Sequence, residues 1–469
     1  MSRTRHTPAW TLGLTSVALF MVALDALVVA TALPAIQRDL HAGVGTLEWT
    51  VNAYSLTFAA AMITAAGLGD RFGRRRMYAA GLALFTLASA ACALAPDAPL
   101  LLAARAAQGL GAAAVMTLSL TILTSAFPVE RRGAVVGAWG AIGGLAVASG
   151  PLVGGAITQG IDWHWIFWVN VPIGALALPL SLRRLPESRG PDVRLDLPGL
   201  GLSAAGSSLL VWGLVRAGSN GWASPSALGA VLAALLILDG FVIWERRAPH
   251  PMLPPRLFAS RSFTAANLAA FLMTAAIMSA AFLVAQYFQV GLGESPLSTG
   301  VHLLPWTATP TLIAPLAGRL SDRIGTRPLI AGGLTLQALG LAWFASEAST
   351  GVSYASLIAP LIVAGIGISL AIPTTPSAAL SAVAARDVGK ASGTSSTMQR
   401  FGGAFGVAIS TAVFSASGQL GSAAGFDAGF RPALAVAAGI SLVGAVAALF
   451  IAGRRARAVA DPLPAVTTA

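Results

Sequence analysis

Ala66-Gly67-Leu68-Gly69-Asp70-Arg71-Phe72-Gly73-Arg74-Arg75-Arg76 and Gly318-Arg319-Leu320-Ser321-Asp322-Arg323-Ile324-Gly325-Thr326-Arg327 are two copies of one pattern. Asp70, Arg71, Gly73 and Arg75 align with Asp322, Arg323, Gly325 and Arg327 at a constant offset of 252 (322 − 70). Each copy closes one long apolar run and opens the next. A charged hairpin repeated between hydrophobic spans is what an internally duplicated transporter shows.

Composition supports a membrane protein. Of the 469 residues, 56% are hydrophobic and 10% are charged, with a mean hydropathy of +0.76. A soluble chain carries about a quarter charged residues, so this one cannot cover itself in water. The net charge of +11 does not point to nucleic acid, because the basic residues sit in short loops between apolar runs and there they set membrane orientation. Among 29 lysines and arginines only Lys390 is a lysine, and alanine and glycine abound, as in a high-GC bacterium. The single cysteine, Cys92, lies in an apolar run and reads as a small buried hydrophobe. It excludes an internal disulfide and a multi-cysteine metal site, and no metal is expected.

Apolar runs fall near 11–33, 47–69, 77–95, 99–126, 134–158, 165–182, 197–215, 223–244, 263–290, 297–318, 328–346, 354–376, 400–417 and 432–452. A helix needs about 20 residues to cross the hydrocarbon, so the expectation is roughly fourteen spans. Only helices satisfy their backbone in lipid at these lengths. The first run is too long for a signal-peptide core and contains Asp25, so it reads as a retained span. Arg71, Arg74, Arg75, Arg76, Arg131, Arg132, Arg183, Arg184, Arg246, Arg247, Arg319, Arg323, Arg327, Arg386, Lys390, Arg454 and Arg455 fall in loops of one side. The alternate loops hold little beyond Arg38, Arg216 and Arg431. Both termini and both hairpins therefore face the cytoplasm. The repeat divides the chain into a first six-helix bundle, 1–183, two inserted spans with their connectors, 184–261, and a second six-helix bundle with a short basic tail, 262–469.

In the hairpins, glycines permit a tight turn, Asp70 can face a helix N-terminus, and the arginines can pair with Glu130 in the next cytoplasmic loop. The hairpins resemble the repeated loop of the major facilitator superfamily, carried here by Gly67, Asp70, Arg71, Gly73 and Arg74, and by Gly318, Asp322, Arg323 and Gly325. The first copy departs from the pattern at Ala66. The second lacks the full basic tail. Leu24-Asp25-Ala26-Leu27-Val28-Val29-Ala30-Thr31-Ala32-Leu33-Pro34 is similar to the first-helix signature of the fourteen-helix drug:proton antiporters. Arg105-Ala106-Ala107-Gln108-Gly109 is similar to their membrane-buried arginine motif, and Gly150-Pro151-Leu152-Val153-Gly154-Gly155 to their antiporter motif. Trp163 to Gly174 is similar to their entry into the sixth helix, with His164 where arginine is usual. The resemblance covers nearly the whole chain. It implies an all-α polytopic fold of two six-helix bundles plus two central helices, embedded in a bacterial cell membrane.

An ionisable side chain inside a span is a functional candidate by default. Asp25 and Arg105 lie at similar depths from the outer ends of the first and fourth spans, so they can pair and lower each other's burial cost. Burial favours the neutral form of Asp25, whereas Arg105 or a cationic drug favours its carboxylate. A proton and a cargo competing for one carboxylate give exchange: protons enter and drug leaves. Asn52, Gln108, Gln286 and His302 are candidate cavity residues, and Tyr287 reads as part of the interfacial aromatic belt. Gly137, Gly140, Gly144, Pro151 and Gly155 make a groove in the fifth span where a partner helix can lie close, and Pro151 bends it. Pro305, Pro310 and Pro315 promise a flexible tenth span.

The expected function is proton-coupled export of a hydrophobic or amphipathic small molecule by a monomer, with no cofactor beyond the proton motive force. A proton symporter for a metabolite on the same fold is the alternative. No nucleophile–base pair or His/Asp/Glu cluster assembles at membrane depth, and no Gly-rich, Lys-containing ATP loop is present. The chain does not read as an enzyme.

Overall fold

The computed structural model describes residues 8–189, 196–221, 224–249, 251, 255–349, 351–383, 388–418 and 423–453. Basic residues of the sequence reading at 386, 454 and 455 lie outside the described residues. Among the described residues the chain is helix after helix: α1 (Pro8–Asp39), α2 (Val44–Phe72), α3 (Arg74–Ala93), α4 (Ala98–Ala126), α5 (Val129–Gly160), α6 (Trp165–Trp168) and α7 (Asn170–Arg184). Then come α8 (Leu197–Asn220), α9 (Pro225–Arg247), α10 (Pro255–Phe258), α11 (Arg261–Gln286) and a π-helical turn, Tyr287–Gly291. α12 (Pro296–His302), α13 (Leu304–Thr307), α14 (Thr309–Ile324), α15 (Thr326–Glu347), α16 (Tyr354–Leu380), α17 (Val388–Ser417) and α18 (Ala423–Ala448) complete it.

Local chemistry starts these helices where the apolar runs begin. Side chains of Asp97, Asp196, Ser224, Ser260 and Ser295 each accept a hydrogen bond from a first-turn backbone N–H, satisfying donors that the helix itself leaves free. The expected apolar runs fall on helix. Among the described residues, ten helices are long and apolar enough to cross a membrane by length and composition. The runs on α2, α8, α12–α14 and α17 are helical as well. The tenth run is broken into α12, α13 and α14, with Pro305 and Pro310 in the first turns of α13 and α14 and Pro315 inside α14. The first helix runs past the expected end at residue 33 to Asp39, with Pro34 inside it and Arg38 Nε donating to the Pro34 carbonyl at 3.2 Å.

The helices pack in two groups. α1 lies against α4, α5 and α7, α4 also against α2 and α3, and α3 against α7. α11 lies against α16, α17 and α18, α15 against α16 and α18, and α14 against α16. α8 and α9 pack on each other, and α8 leans on α2 and α17. The groups meet where α2 crosses α17, where α5 meets α12 and where α1 meets α11. Large apolar side chains stand outside: Leu236 and Leu312 are each 74% exposed. In water that would be unfavourable. Against lipid it costs nothing.

Candidate functional site

Asp25 and Arg105 meet in the interior of the first group. Each is 1% exposed, and Arg105 Nη1 donates to Asp25 Oδ2 at 2.6 Å. Gln108 Nε2 and Asn170 Nδ2 donate to Asp25 Oδ1 at 2.8 and 3.0 Å. Arg105 Nη1 also donates to Gln108 Oε1 at 2.6 Å, and Arg105 Nε to the Thr50 carbonyl at 3.0 Å. Gln108 Nε2 reaches Ser89 Oγ at 2.8 Å. The guanidinium carbon lies 4.3 Å from the centre of the Tyr54 ring. The cluster thus ties α1, α2, α3, α4 and α7 together. Spacing explains part of it: Arg105 and Gln108 are three apart on α4 and share a face. Asp25 lies 14 residues from the C-terminal end of α1 (39 − 25), about 21 Å at the helical rise. A charge at that depth survives only when paired and hydrogen-bonded, and this one is both. Asn170, the first residue of α7, was not singled out from the sequence. An asparagine opening a helix reads as a cap, and nothing local reveals that it points back to α1.

A second arginine enters from the other group. Arg400 on α17 sets its guanidinium carbon 4.1 Å from the centre of the Phe58 ring on α2. Phe58 is fully buried and is the middle residue of α2, 14 positions from each end (58 − 44 and 72 − 58). Tyr54 and Phe58 contact edge to face, 5.7 Å apart, so one aromatic pair carries a cation at either end. The apolar run read from the sequence begins at residue 400. The helix in fact begins at Val388.

Other candidates stand apart from the Asp25 cluster. Asn52 is buried in α2, two residues beyond Thr50. His302 Nδ1 pairs with Glu294 Oε2 at 2.7 Å, and its ring stacks on Tyr354 at 3.7 Å. Gln286 is buried at the end of α11 with Oε1 lacking a hydrogen bond. Tyr287 is not in the aromatic belt: it is fully buried, stacks on Phe430 at 4.5 Å and donates to the Ser349 carbonyl at 3.0 Å. The π-helical turn beginning at Tyr287 departs from the α register, which hydropathy does not disclose. In the loop before α6, partial burial pushes the Asp162 carboxyl up, but hydrogen bonds from the His164 backbone and ring outweigh it and hold the carboxyl below its ordinary range.

The first hairpin turns at Gly73, φ 108°, between α2 and α3. Asp70 pairs across the turn with Arg74, the first residue of α3, at 2.8 Å. Arg71 lies beside the Phe72 ring. Arg75 and Arg76 meet Glu187, beyond α7: its Oε1 accepts from the Arg75 backbone at 3.0 Å, and Oε2 lies 3.6 Å from Arg75 Nε and 3.8 Å from Arg76 Nε. The side chains of Glu130 and Asp322 lie outside the described residues. The second hairpin turns at Gly325, φ 85°. Gly318, in contrast, has open space where a side chain would go. Gly73→Ala is therefore expected to cost about 1–2 kcal/mol from the left-handed backbone, plus a collision with Glu187, whereas Gly318→Ala is neutral. Melting temperatures of the two purified variants, a few degrees down against unchanged, check this.

The glycines of α5 do form a close seam, shared between two neighbours. A Cβ on Gly150 would lie 2.8 Å from Leu27 Cβ, and one on Gly154 2.8 Å from the Val28 carbonyl, both on α1. One on Gly155 would lie 2.7 Å from the carbonyl carbon of Pro296, and one on Gly300 2.5 Å from the carbonyl oxygen of Pro151. α5 and α12 therefore touch backbone to backbone. Gly144 faces open space, and Gly137 and Gly140 lie among residues whose side-chain surroundings are not described. α5 stays helical through Pro151.

Comparisons with known proteins agree with this architecture. A family profile described as Major Facilitator Superfamily matches residues 15–307 and 264–467. Multidrug resistance protein Stp of Mycobacterium tuberculosis is 37% identical over 415 residues, covering 88% of this chain and 76% of that protein. The tetracenomycin C resistance and export protein of Streptomyces glaucescens is 35% identical over 416 residues, 86% of this chain and 77% of that one. Puromycin resistance protein pur8 of Streptomyces alboniger is 35% identical over 465 residues, 96% and 92%. Among solved structures, a peptide transporter POT in complex with sulfate superposes with a TM-score of 0.68 at 16% identity, covering 94% of this chain and 93% of that chain. At that identity the likeness speaks for the fold alone.

Proposed function

The chain belongs to the Major Facilitator Superfamily, and from that premise we propose that it exports hydrophobic or amphipathic drugs across the bacterial cytoplasmic membrane in exchange for protons. Relatives named for multidrug resistance and for antibiotic resistance and export support the cargo class. In this reading the chain crosses the membrane fourteen times, with both termini and both charged hairpins in the cytoplasm. The bundles 1–183 and 262–469 rock about the segment 184–261, the working unit is a monomer, and the proton motive force drives it without a cofactor.

The observation that carries the coupling is the buried Asp25–Arg105 pair at 2.6 Å. Asp25 is saturated by donors from Arg105, Gln108 and Asn170, so no cargo reaches it in this conformation. The competition is therefore between a proton and Arg105. A proton added to Asp25 removes the charge that holds Arg105 and loosens the tie among five helices. Loss of that proton to the cytoplasm restores it. Each conformation then favours one protonation state, which is what exchange by alternating access requires.

A pump-deficient bacterium expressing the chain tests this. Tolerance to a panel of amphipathic antibiotics is expected to rise several-fold and to vanish with a proton uncoupler. Unchanged susceptibility across the panel, or tolerance that survives the uncoupler, rejects the proposal.

A further inference from the structure

We propose that Arg400 is the seat for an acidic group on the cargo, so that the exported compounds are amphipathic anions, carboxylates or acidic phenols, set against Phe58. The assignment deepens the export reading and rests on it.

The argument starts from charge. Arginine stays protonated under all ordinary conditions, and a guanidinium at mid-membrane needs a negative partner. Among the described residues no carboxylate lies within ion-pair distance of Arg400. Asp25, the carboxylate at this depth in the facing group, is already taken by Arg105, Gln108 and Asn170. The Phe58 ring, 4.1 Å below the guanidinium, offsets part of the burial cost through the ring quadrupole but brings no charge. Arg400 cannot escape to lipid headgroups, because its guanidinium is fixed at the middle of α2, about 21 Å from either end of that helix.

Position supports the same conclusion. Gly402 and Gly406 turn one face of α17 onto α11, where added Cβ atoms would collide with the backbone at Phe271 and Ala275. Ala404 and Ala408 turn another face onto Leu56 of α2. Arg400 lies one turn before Ala404 on that second face, at the seam between the two helical groups. Thr397, one turn earlier again, is buried with its Oγ1 lacking a hydrogen bond. A carboxylate against Arg400 and Thr397 would gain a bidentate guanidinium contact and a hydroxyl donor, with its apolar body on Phe58.

The full chain in phosphatidylcholine nanodiscs tests this with two probes, a dansyl-labelled undecanoic acid and its primary amide. The acid is expected to bind the parent chain about tenfold more tightly than the amide, the worth of one charge-assisted contact. Arg400→Gln is expected to bind both equally, at the parent's affinity for the amide, which shows that the variant is folded. Arg400→Lys should keep part of the preference. Equal binding of the two probes by the parent, binding of neither, or a preference that survives Arg400→Gln overturns the assignment. Loss of the preference when phosphatidylglycerol replaces phosphatidylcholine marks a lipid phosphate as the occupant and overturns it too. The export reading fails separately: a chain that keeps the acid preference but raises no tolerance in cells has the seat without the pump.

Discussion

Asp25→Asn is expected to abolish drug accumulation driven by an imposed pH gradient in vesicles, down to the level of vesicles lacking the protein. Asparagine keeps the shape of Asp25 and still accepts hydrogen bonds through Oδ1, but it can neither bind nor release a proton. It also strands Arg105, 1% exposed, without its counter-ion. Breaking one side of a buried pair costs about 3–5 kcal/mol, so loss of transport in the single variant could reflect loss of structure. Asp25→Asn combined with Arg105→Gln separates the two effects. It removes both charges together and is expected to recover most of the lost thermal stability while leaving gradient-driven transport at background. A purely structural ion pair predicts the opposite: transport returns with stability. Asp25→Glu, which keeps a titratable group on a longer stem, is expected to retain partial activity. Driven accumulation at the parental rate in the double variant would falsify the coupling role of Asp25.

What the sequence discloses here follows from which forces are local. Apolar runs near 20 residues long can only be helices in lipid, so their positions were legible from composition. The Asp25–Arg105 pair was legible because an ionisable group in a span must find a partner, and depth along two helices narrows the choice. Side chains that arrive from distant segments were not. Asn170 lies 145 residues from Asp25, and Glu187 lies 112 residues from Arg75. No period or spacing connects such positions. Arg400 was hidden differently: the Ser and Thr residues before it lower the hydropathy of a segment that is still helix, because neighbouring helices rather than lipid surround it. Helix ends were misjudged for a related reason. Pro34 looks like a terminus, yet a proline within a packed membrane helix is tolerated, and α1 continues through it to Asp39.

Gly155→Val is expected to abolish export without unfolding the protein, by forbidding the close contact between α5 and α12. The added Cβ meets the Pro296 carbonyl on α12, and the reciprocal Gly300 faces the Pro151 carbonyl on α5. Backbone cannot rotate out of the way as a side chain can, so the helices must separate. Separation also breaks two hydrogen bonds between the groups, Leu297 N–H to Gln159 Oε1 at 3.1 Å and Gln289 Nε2 to the Thr31 carbonyl at 2.8 Å. A loss of about 3 kcal/mol from one conformation shifts a two-state equilibrium by roughly two orders of magnitude, enough to leave a cycling transporter on one side. The readout is direct. With Cys92→Ser and Gln289→Cys as background, an impermeant maleimide applied to intact cells should label residue 289 faster when Gly155→Val is added. Gly144→Val, on the same helix but facing open space, should change neither labelling nor export. If Gly155→Val transports normally, the contact between α5 and α12 is ordinary packing, and the closing surface must lie elsewhere, with α1 against α11 the next place to test. The comparison turns on geometry alone, since both substitutions add the same side chain to one helix and differ only in what stands opposite.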